Sequence, residues 1–221
     1  MLEINHSCAM YFQLTIPTRT SLRGVHNIIQ NLVPEQRTLI TGIGMGSLLE
    51  IRCKNIHNAL CEWLINRFDY KNCTLNVHEK VIPITTKDVE IVLGLSCTGL
   101  DVSTNRCIAD DVKKLSIDLG FQESGLTLSN LKARLMSSNG SCDDNFKRCF
   151  ILYMLGAILC PTTGLSVKRG FLRVVQDVSN LSNINWSKMI LQELITSVKK
   201  KREKNQLGLR GCIYFLMVSI F

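Results

Sequence analysis

The stretch SCDDNFKRCFILYMLGAILCP, residues 141–161, decides the fold class of this 221-residue chain. Ser141 and Asp144 have the spacing of a capping box, which predicts a helix that begins at Asn145. The residues that follow are apolar on nearly all sides of such a helix, and Pro161 ends it. This pattern is typical of a central core helix. At about 22 Å the helix is too short to cross the roughly 30 Å hydrocarbon layer of a bilayer.

Helical spacing of apolar residues predicts further helices on both sides of this segment. Thr85 and Asp88 form a second capping box, and Gly94 ends the short helix that they begin. Asn185 is the predicted N-cap of a long amphipathic helix that runs to Lys204. The other predicted helices cover residues 35–40, 56–68 (capped by Asn55), 108–119 and 128–136, and a last buried helix begins near residue 211.

A small β-hairpin is expected between these helices. Thr74–Val77 and Val81–Ile84 are its predicted strands, joined by a three-residue turn, and Pro83 restricts the second strand to a sheet edge. Residues 1–33 show weak periodicity and are expected to be an atypical or poorly ordered lead-in. We therefore predict a mainly α, single multi-helix domain over residues 34–221. Its apolar end, cut within a helix, is expected for a fragment of a longer protein.

Composition excludes several classes of protein. Hydrophobic residues make up 46% and charged residues 20%, which excludes a disordered or low-complexity chain. No apolar run approaches the roughly 20 residues of a membrane span, so no membrane association is expected. The ten cysteines contain no C-x-x-C pair, and several lie in apolar stretches, which favours reduced core thiols inside a cell.

Positive charge is concentrated in the last third of the chain. The net charge of +8 divides into +1 for residues 1–140 and +7 for residues 141–221. The clearest functional candidate is the run KKKREK, with the cations Lys199, Lys200, Lys201, Arg202 and Lys204. Such a run can contact nucleic acid, an acidic protein or an import receptor. The alternative is a solvated helix end, where cations complement the helix dipole. Aromatic residues are not interleaved with the run, so it shows no stacking platform for single strands.

Catalytic and metal-binding patterns do not emerge from the residues. Cys53, His57 and Cys61 are spaced for one helix face, but they extend over about 12 Å, too far for one zinc ion. A Cys–His nucleophilic pair stays open, although no signature surrounds any cysteine. The GIGMG stretch at residues 42–46 is predicted to be a turn, because it lacks the spacing of a phosphate-binding loop. The pairs Asp110-Asp111 and Asp143-Asp144 occur at predicted helix starts, where they complement the dipole. We expect no enzyme activity, no cofactor and no metal.

Several sequence blocks follow one another in a characteristic order: Gly44–Cys53, Leu60–Asp69, Leu75–Val102, Phe146–Thr163, Asn183–Ile195 and Gly211–Val218. They include an FD–hairpin–DV–LGL series and a fixed spacing from LCPTT to NW. In this order and spacing the chain resembles the plant mobile domain, a transposon-related module also found before some plant SUMO-protease-like domains.

The resemblance implies a largely helical, non-catalytic module of transposon origin that works in the nucleus, in gene silencing or meristem maintenance. It implies a protein partner, with nucleic acid as a second candidate through the basic C-terminal third. Two alternatives stay open. In the first, the chain is the non-catalytic N-terminal part of a SUMO-protease-like cysteine peptidase. In the second, it is a transposon remnant without a selected function. "Aminotransferase-like" labels are attached to the family, but no lysine here lies in an evident pyridoxal phosphate pocket.

Overall fold

The computed structural model describes residues 20–104, 110–121, 125–162, 164, 166–204 and 211–219. Strands β1 (Phe68–Asp69), β2 (Thr74–Val77) and β3 (Lys80–Pro83) form one antiparallel sheet in that order. The predicted mainly α domain with a small β-hairpin is confirmed, and a short third strand extends the hairpin. The helices are α1 (Leu22–Gln30), α2 (Pro34–Gly42), α3 (Asn58–Arg67), α4 (Thr86–Leu93), α5 (Asp110–Asp118), α6 (Leu128–Met136), α7 (Asp144–Met154), α8 (Phe171–Val174), α9 (Trp186–Lys204) and α10 (Ile213–Val218), with 3₁₀ turns at Gly46–Glu50 and Val178–Asn183 and a π-helical turn at Leu155–Leu159.

The core is built around α7 and the π-helical turn that continues it. Every residue from 149 to 160 is buried, as the all-apolar pattern predicts. The N-cap, however, is Asp143, whose Oδ1 accepts a hydrogen bond from the backbone N–H of Phe146 at 2.7 Å. The predicted Ser141–Asp144 capping box is therefore wrong. An N-cap must lie directly before the first helical residue, and here that residue is Asp144.

The π-helical turn links the centre of the core to α1. Its wider backbone ring is closed by a hydrogen bond from the N–H of Cys160 to the carbonyl of Leu155 at 2.8 Å. The carbonyl of Ala157 accepts a hydrogen bond from the N–H of Ser21 at 2.9 Å, directly before α1 begins. Gly156 allows close packing here, because a Cβ at this position would lie 2.5 Å from Cγ2 of Val167.

Helix α1 corrects the predicted lead-in over residues 1–33. Leu22, Val25, Ile28 and Ile29 are buried against the core and follow one another at helical spacing. The lead-in interpretation therefore does not hold for residues 22–30. The apolar residues of this short helix do recur at helical spacing in the sequence, so the prediction of weak periodicity is wrong here. Residues 1–19 lie outside the described part of the chain.

Helix α3 and the sheet form the side of the molecule on which α9 ends. The N-cap of α3 is His57, whose Nδ1 accepts a hydrogen bond from the N–H of Leu60 at 3.2 Å, so the predicted Asn55 cap and the start at residue 56 are wrong. A side chain two positions further from the helix cannot reach its first free N–H groups. The chain leaves α3 through Phe68, which pairs with Leu75 of β2, and both side chains are buried.

The hairpin turn is tighter than predicted. Val77 pairs with Lys80, which leaves His78 and Glu79 as a two-residue turn with φ angles of 45° and 65°. Positive φ angles at both positions suit the twist of a two-residue hairpin. Strand β3 therefore runs from Lys80 to Pro83 rather than from Val81 to Ile84. Pro83 lies on an edge strand, as predicted.

The remaining predicted element boundaries agree closely with the structure. The Thr85–Asp88 capping box is present at α4, and Gly94 ends this helix with a φ of 63°. Asn185 Oδ1 accepts a hydrogen bond from the N–H of Lys188 at 3.0 Å, which confirms it as the cap of α9. The GIGMG stretch forms a turn, with Gly44 at a φ of 79°, between α2 and a 3₁₀ helix. Helix α6 has the predicted bounds, and α10 is buried as predicted. Helix α5 begins at Asp110, and its predicted start at Ile108 lies outside the described residues.

A basic surface at the end of α9

The basic run occupies the last two turns of α9, and the structure separates its members. Lys199 and Lys200 are exposed to solvent. Lys201 is half-buried; burial lowers the pKa of its ammonium group, and the charge of Glu62 on α3 opposes that shift. Lys204 is the last residue of α9, and its side chain lies outside the described part of the chain. The run is therefore only partly a solvated face.

Arg202 anchors the end of α9 to the end of α3. Its Nη2 donates hydrogen bonds to three backbone carbonyls, those of Ile65 at 3.2 Å, Asn66 at 3.1 Å and Phe68 at 2.8 Å. Carbonyl groups at a helix C-terminus lack intrahelical partners, and a cation there also complements the helix dipole. Arg202 is therefore a structural contact as well as a member of the basic run.

An aromatic residue lies beside the run. The hydroxyl of Tyr70 donates a hydrogen bond to Oε1 of Glu203 at 3.2 Å, and the guanidinium carbon of Arg202 is 5.8 Å from the centre of the tyrosine ring. Partial burial and the Glu203 hydrogen bond raise the pKa of Tyr70, so the hydroxyl stays protonated at neutral pH. The sequence pattern gives no sign of this contact, because Tyr70 precedes the run by more than 120 positions.

These residues border a surface cleft of about 530 Å³, which we call the α3–α9 cleft. Three of its side chains are cationic, Arg67, Lys71 and Arg202, against a single carboxylate. That carboxylate, Asp69, accepts hydrogen bonds from the N–H of Lys71 at 2.9 Å and from Nδ2 of Asn72 at 2.8 Å, which lower its pKa. The complete lining is Asn66, Arg67, Asp69, Tyr70, Lys71, Asn76 and Arg202.

A second aromatic ring lies next to the cleft. The guanidinium carbon of Arg67 is 4.0 Å from the ring centre of Trp63, one turn earlier on α3, and forms a cation–π contact with it. The ring of His78 is tilted by 45° to the same indole, with 6.5 Å between ring centres. A planar cation stacked on an aromatic ring therefore adjoins the cleft.

The cysteine and histidine candidates have structural roles in the described part of the chain. His57 caps α3 through Nδ1, and Cys53 lies before α3. Cys53, His57 and Cys61 are therefore not aligned on one face of a single helix, which is the arrangement considered above for a zinc ion. Burial raises the pKa of Cys61 and of Cys212 to about 12 and also raises that of Cys149 and Cys160. These four thiols fill the core and are held in the protonated form, which is the less reactive one.

A polar cluster that sequence analysis did not anticipate joins residues 101–104 to the middle of α9. Lys168 Nζ donates to Glu193 Oε1 at 2.6 Å and to Thr104 Oγ1 at 2.9 Å. The cluster borders a cleft of about 230 Å³, with an ion pair between Lys188 and Asp101 on its lining. The charges of Lys168 and Glu193 oppose each other at hydrogen-bond distance, and the cluster holds the loop at residues 101–104 against α9.

The helices that the structure describes include none with both the length and the apolar character of a membrane span.

Comparison with known proteins identifies a family. The family model of a domain of unknown function, DUF8566, matches residues 18–217. The chain belongs to this family. This DUF8566 chain is also 23% identical over 204 residues to Protein MAIN-LIKE 1 of Arabidopsis thaliana; the match covers 84% of the chain and 39% of the relative. The chain thus spans well under half the length of this plant protein. No solved structure matches the chain.

Proposed function

We propose that this DUF8566 chain is a non-catalytic interaction module of the plant mobile domain type, of transposon origin, which works in the nucleus. In this proposal the module binds an acidic macromolecule through the basic surface formed by Lys199, Lys200 and the α3–α9 cleft. One observation carries the proposal. Arg202 fastens the end of α9 to α3, so the exposed charges of Lys199 and Lys200 project from a fixed support.

A fixed support matters because binding is weakened by the entropy lost when a mobile segment becomes ordered. A helix end that is already fastened avoids most of this cost. The similarity to a plant protein supports the plant part of the proposal. The buried, protonated core thiols support its non-catalytic part, because a nucleophilic cysteine requires a lowered pKa.

Nuclear retention of the full chain tests the proposal. We expect a fluorescent-protein fusion to accumulate in plant nuclei and to stay bound when the cells are permeabilised at low salt. Substituting Lys199→Gln and Lys200→Gln together removes two exposed charges and leaves the Arg202 contacts in place. The bound fraction of this variant is expected to fall at least twofold, measured by fluorescence recovery and by extraction at increasing salt.

Lys114→Gln provides the matched control, since it removes one exposed charge from α5, which does not line the cleft. Its retention is expected to equal that of the unchanged chain. Exclusion of the fusion from nuclei, or complete extraction of the unchanged chain at low salt, contradicts the proposal.

A further inference from the structure

We infer that the α3–α9 cleft is a binding site for single-stranded nucleic acid, with a phosphate held near Arg67, Lys71 and Arg202 and a base stacked beside Tyr70. This inference rests on the proposed function, since it names the chemical class of the partner.

The charge of the cleft matches a phosphodiester strand. Arg67 and Lys71 are exposed, and Arg202 brings a third positive charge that its neutral carbonyl partners do not cancel. Lys199 precedes Arg202 by three positions, which places both side chains on one face of α9 about 4.5 Å apart along the axis, and Lys199 is exposed, so the positive surface continues along α9. A strand with one charge per nucleotide can follow such a surface, and each phosphate contact releases bound counterions.

The rings distinguish this site from a purely electrostatic patch. Tyr70 lines the cleft, and its ring is held by the Glu203 hydrogen bond and the nearby Arg202 guanidinium. Arg67 adds a guanidinium plane that is already stacked on Trp63. Unpaired bases stack on aromatic rings and on guanidinium planes, whereas the acidic side chains of a peptide have no comparable flat surface.

The polar groups of the lining also fit bases better than acidic side chains. Asn66 and Asn76 offer amides, which can both donate to and accept from the edge of a base. The hydrogen bonds of Asp69 lower its pKa and favour its ionised form, which can accept from the amino group of a base; its charge repels phosphate and carboxylate alike. The edge of a base carries both donors and acceptors and can match these amide and carboxylate groups, whereas an ionised acidic side chain only accepts.

The cleft favours a single strand over a duplex. It is open to solvent, and its volume of about 530 Å³ is within the range of a small-molecule site and can admit one nucleotide unit. Bases inside a duplex are stacked on one another and cannot lie against Tyr70. Paired nucleic acid would therefore contact only the cationic rim.

Fluorescence anisotropy of the purified full chain tests the inference. The probes are a fluorescein-labelled thymidine strand of about 12 nucleotides, the matching duplex, and labelled poly-L-glutamate, each titrated between about 50 and 200 mM salt. We expect the single strand to bind most tightly. We expect Arg67→Gln and Lys71→Gln each to reduce the slope of log affinity against log salt by about 0.7, the value for one lost phosphate contact.

The aromatic contact is tested by a pair of substitutions at one position. Tyr70→Ala is expected to weaken binding of the strand by about 5-fold to 150-fold, the range for loss of one stacked base, with the salt slope unchanged. Tyr70→Phe keeps the ring and is expected to keep the affinity within about twofold. Circular dichroism checks that each variant is folded, and the Arg67 and Lys71 variants, at exposed positions, test the inference independently of Tyr70. Lys114→Gln is the charge control.

Three outcomes overturn the inference and are distinguishable. Equal binding of poly-L-glutamate and the strand, with no loss in Tyr70→Ala, indicates an acidic protein partner and leaves the proposed function standing. Tighter binding of the duplex than of the strand also excludes this site. Absence of binding to every probe at low salt contradicts both the inference and the basic-surface part of the proposed function.

Discussion

Helix α7 and the end of α9 are both helical, but their side chains acquire their environments in opposite ways. From Cys149 onward every side chain of α7 is buried, and an apolar residue is buried there whichever neighbour covers it. At the end of α9, three consecutive cationic side chains have different surroundings. Lys200 is exposed and Lys201 is half-buried, while Arg202, although exposed, bonds to carbonyls at the end of α3 and at Phe68. Hydrophobic burial is non-directional, whereas a hydrogen bond requires a particular partner in a particular place.

The largest expected effect is therefore in the core. Phe150 has no exposed surface, so Phe150→Ala should lower the free energy of unfolding by about 3–5 kcal/mol through lost burial and a residual cavity. Urea denaturation followed by tryptophan fluorescence measures this loss. A change below about 1 kcal/mol would show that α7 is not the centre of the core. Phe150→Leu, which retains most of the volume, is the matched control and should lose less.

A smaller effect is expected at the contact between α9 and α3. Arg202→Lys preserves the charge but cannot reproduce the guanidinium contacts with three carbonyls, and we expect a loss of about 1 kcal/mol in unfolding free energy. Urea denaturation again measures it. Trp186 is buried and Trp63 lies beside the cleft, so their emission reports mainly on the core and on the cleft respectively. An unchanged free energy of unfolding would mean that the carbonyl contacts of Arg202 do not stabilise the fold. Arg202 would then be a surface cation like Lys200.

The smallest effect on stability belongs to the exposed cations. Lys199→Gln and Lys200→Gln together should change the free energy of unfolding by less than about 0.5 kcal/mol, because neither side chain is buried. The same double variant loses nuclear retention in the proposed function. A stability loss comparable to that of Arg202→Lys would mean that these two lysines support the fold, and the division between anchoring and exposed cations would be wrong.

Sequence patterns predicted most elements because their signals are local. The Thr85–Asp88 capping box and the bounds of α6 depend on residues within a few positions of one another. The predicted caps of α3 and α7 are wrong because several polar residues precede each helix, and the side chain directly before the first helical residue is the one that accepts from a free N–H group. At α7 the competing candidates, Ser141 and Asp143, are two positions apart. Helix α1 carries a local signal as well, in the helical spacing of Leu22, Val25, Ile28 and Ile29, whereas its hydrogen bond to the carbonyl of Ala157 joins residues more than 120 positions apart.

The sequence by itself determined that this chain folds around a short, wholly apolar helix and that its positive charge is concentrated near the end of α9. Both follow from composition and spacing, which act through hydrophobic burial and helix periodicity. Only the tertiary structure decided which cations are anchored and which are exposed. It also brought Tyr70, Arg67 and Lys71 next to Arg202, because residues distant in sequence become neighbours only when the chain folds and the end of α9 meets the end of α3.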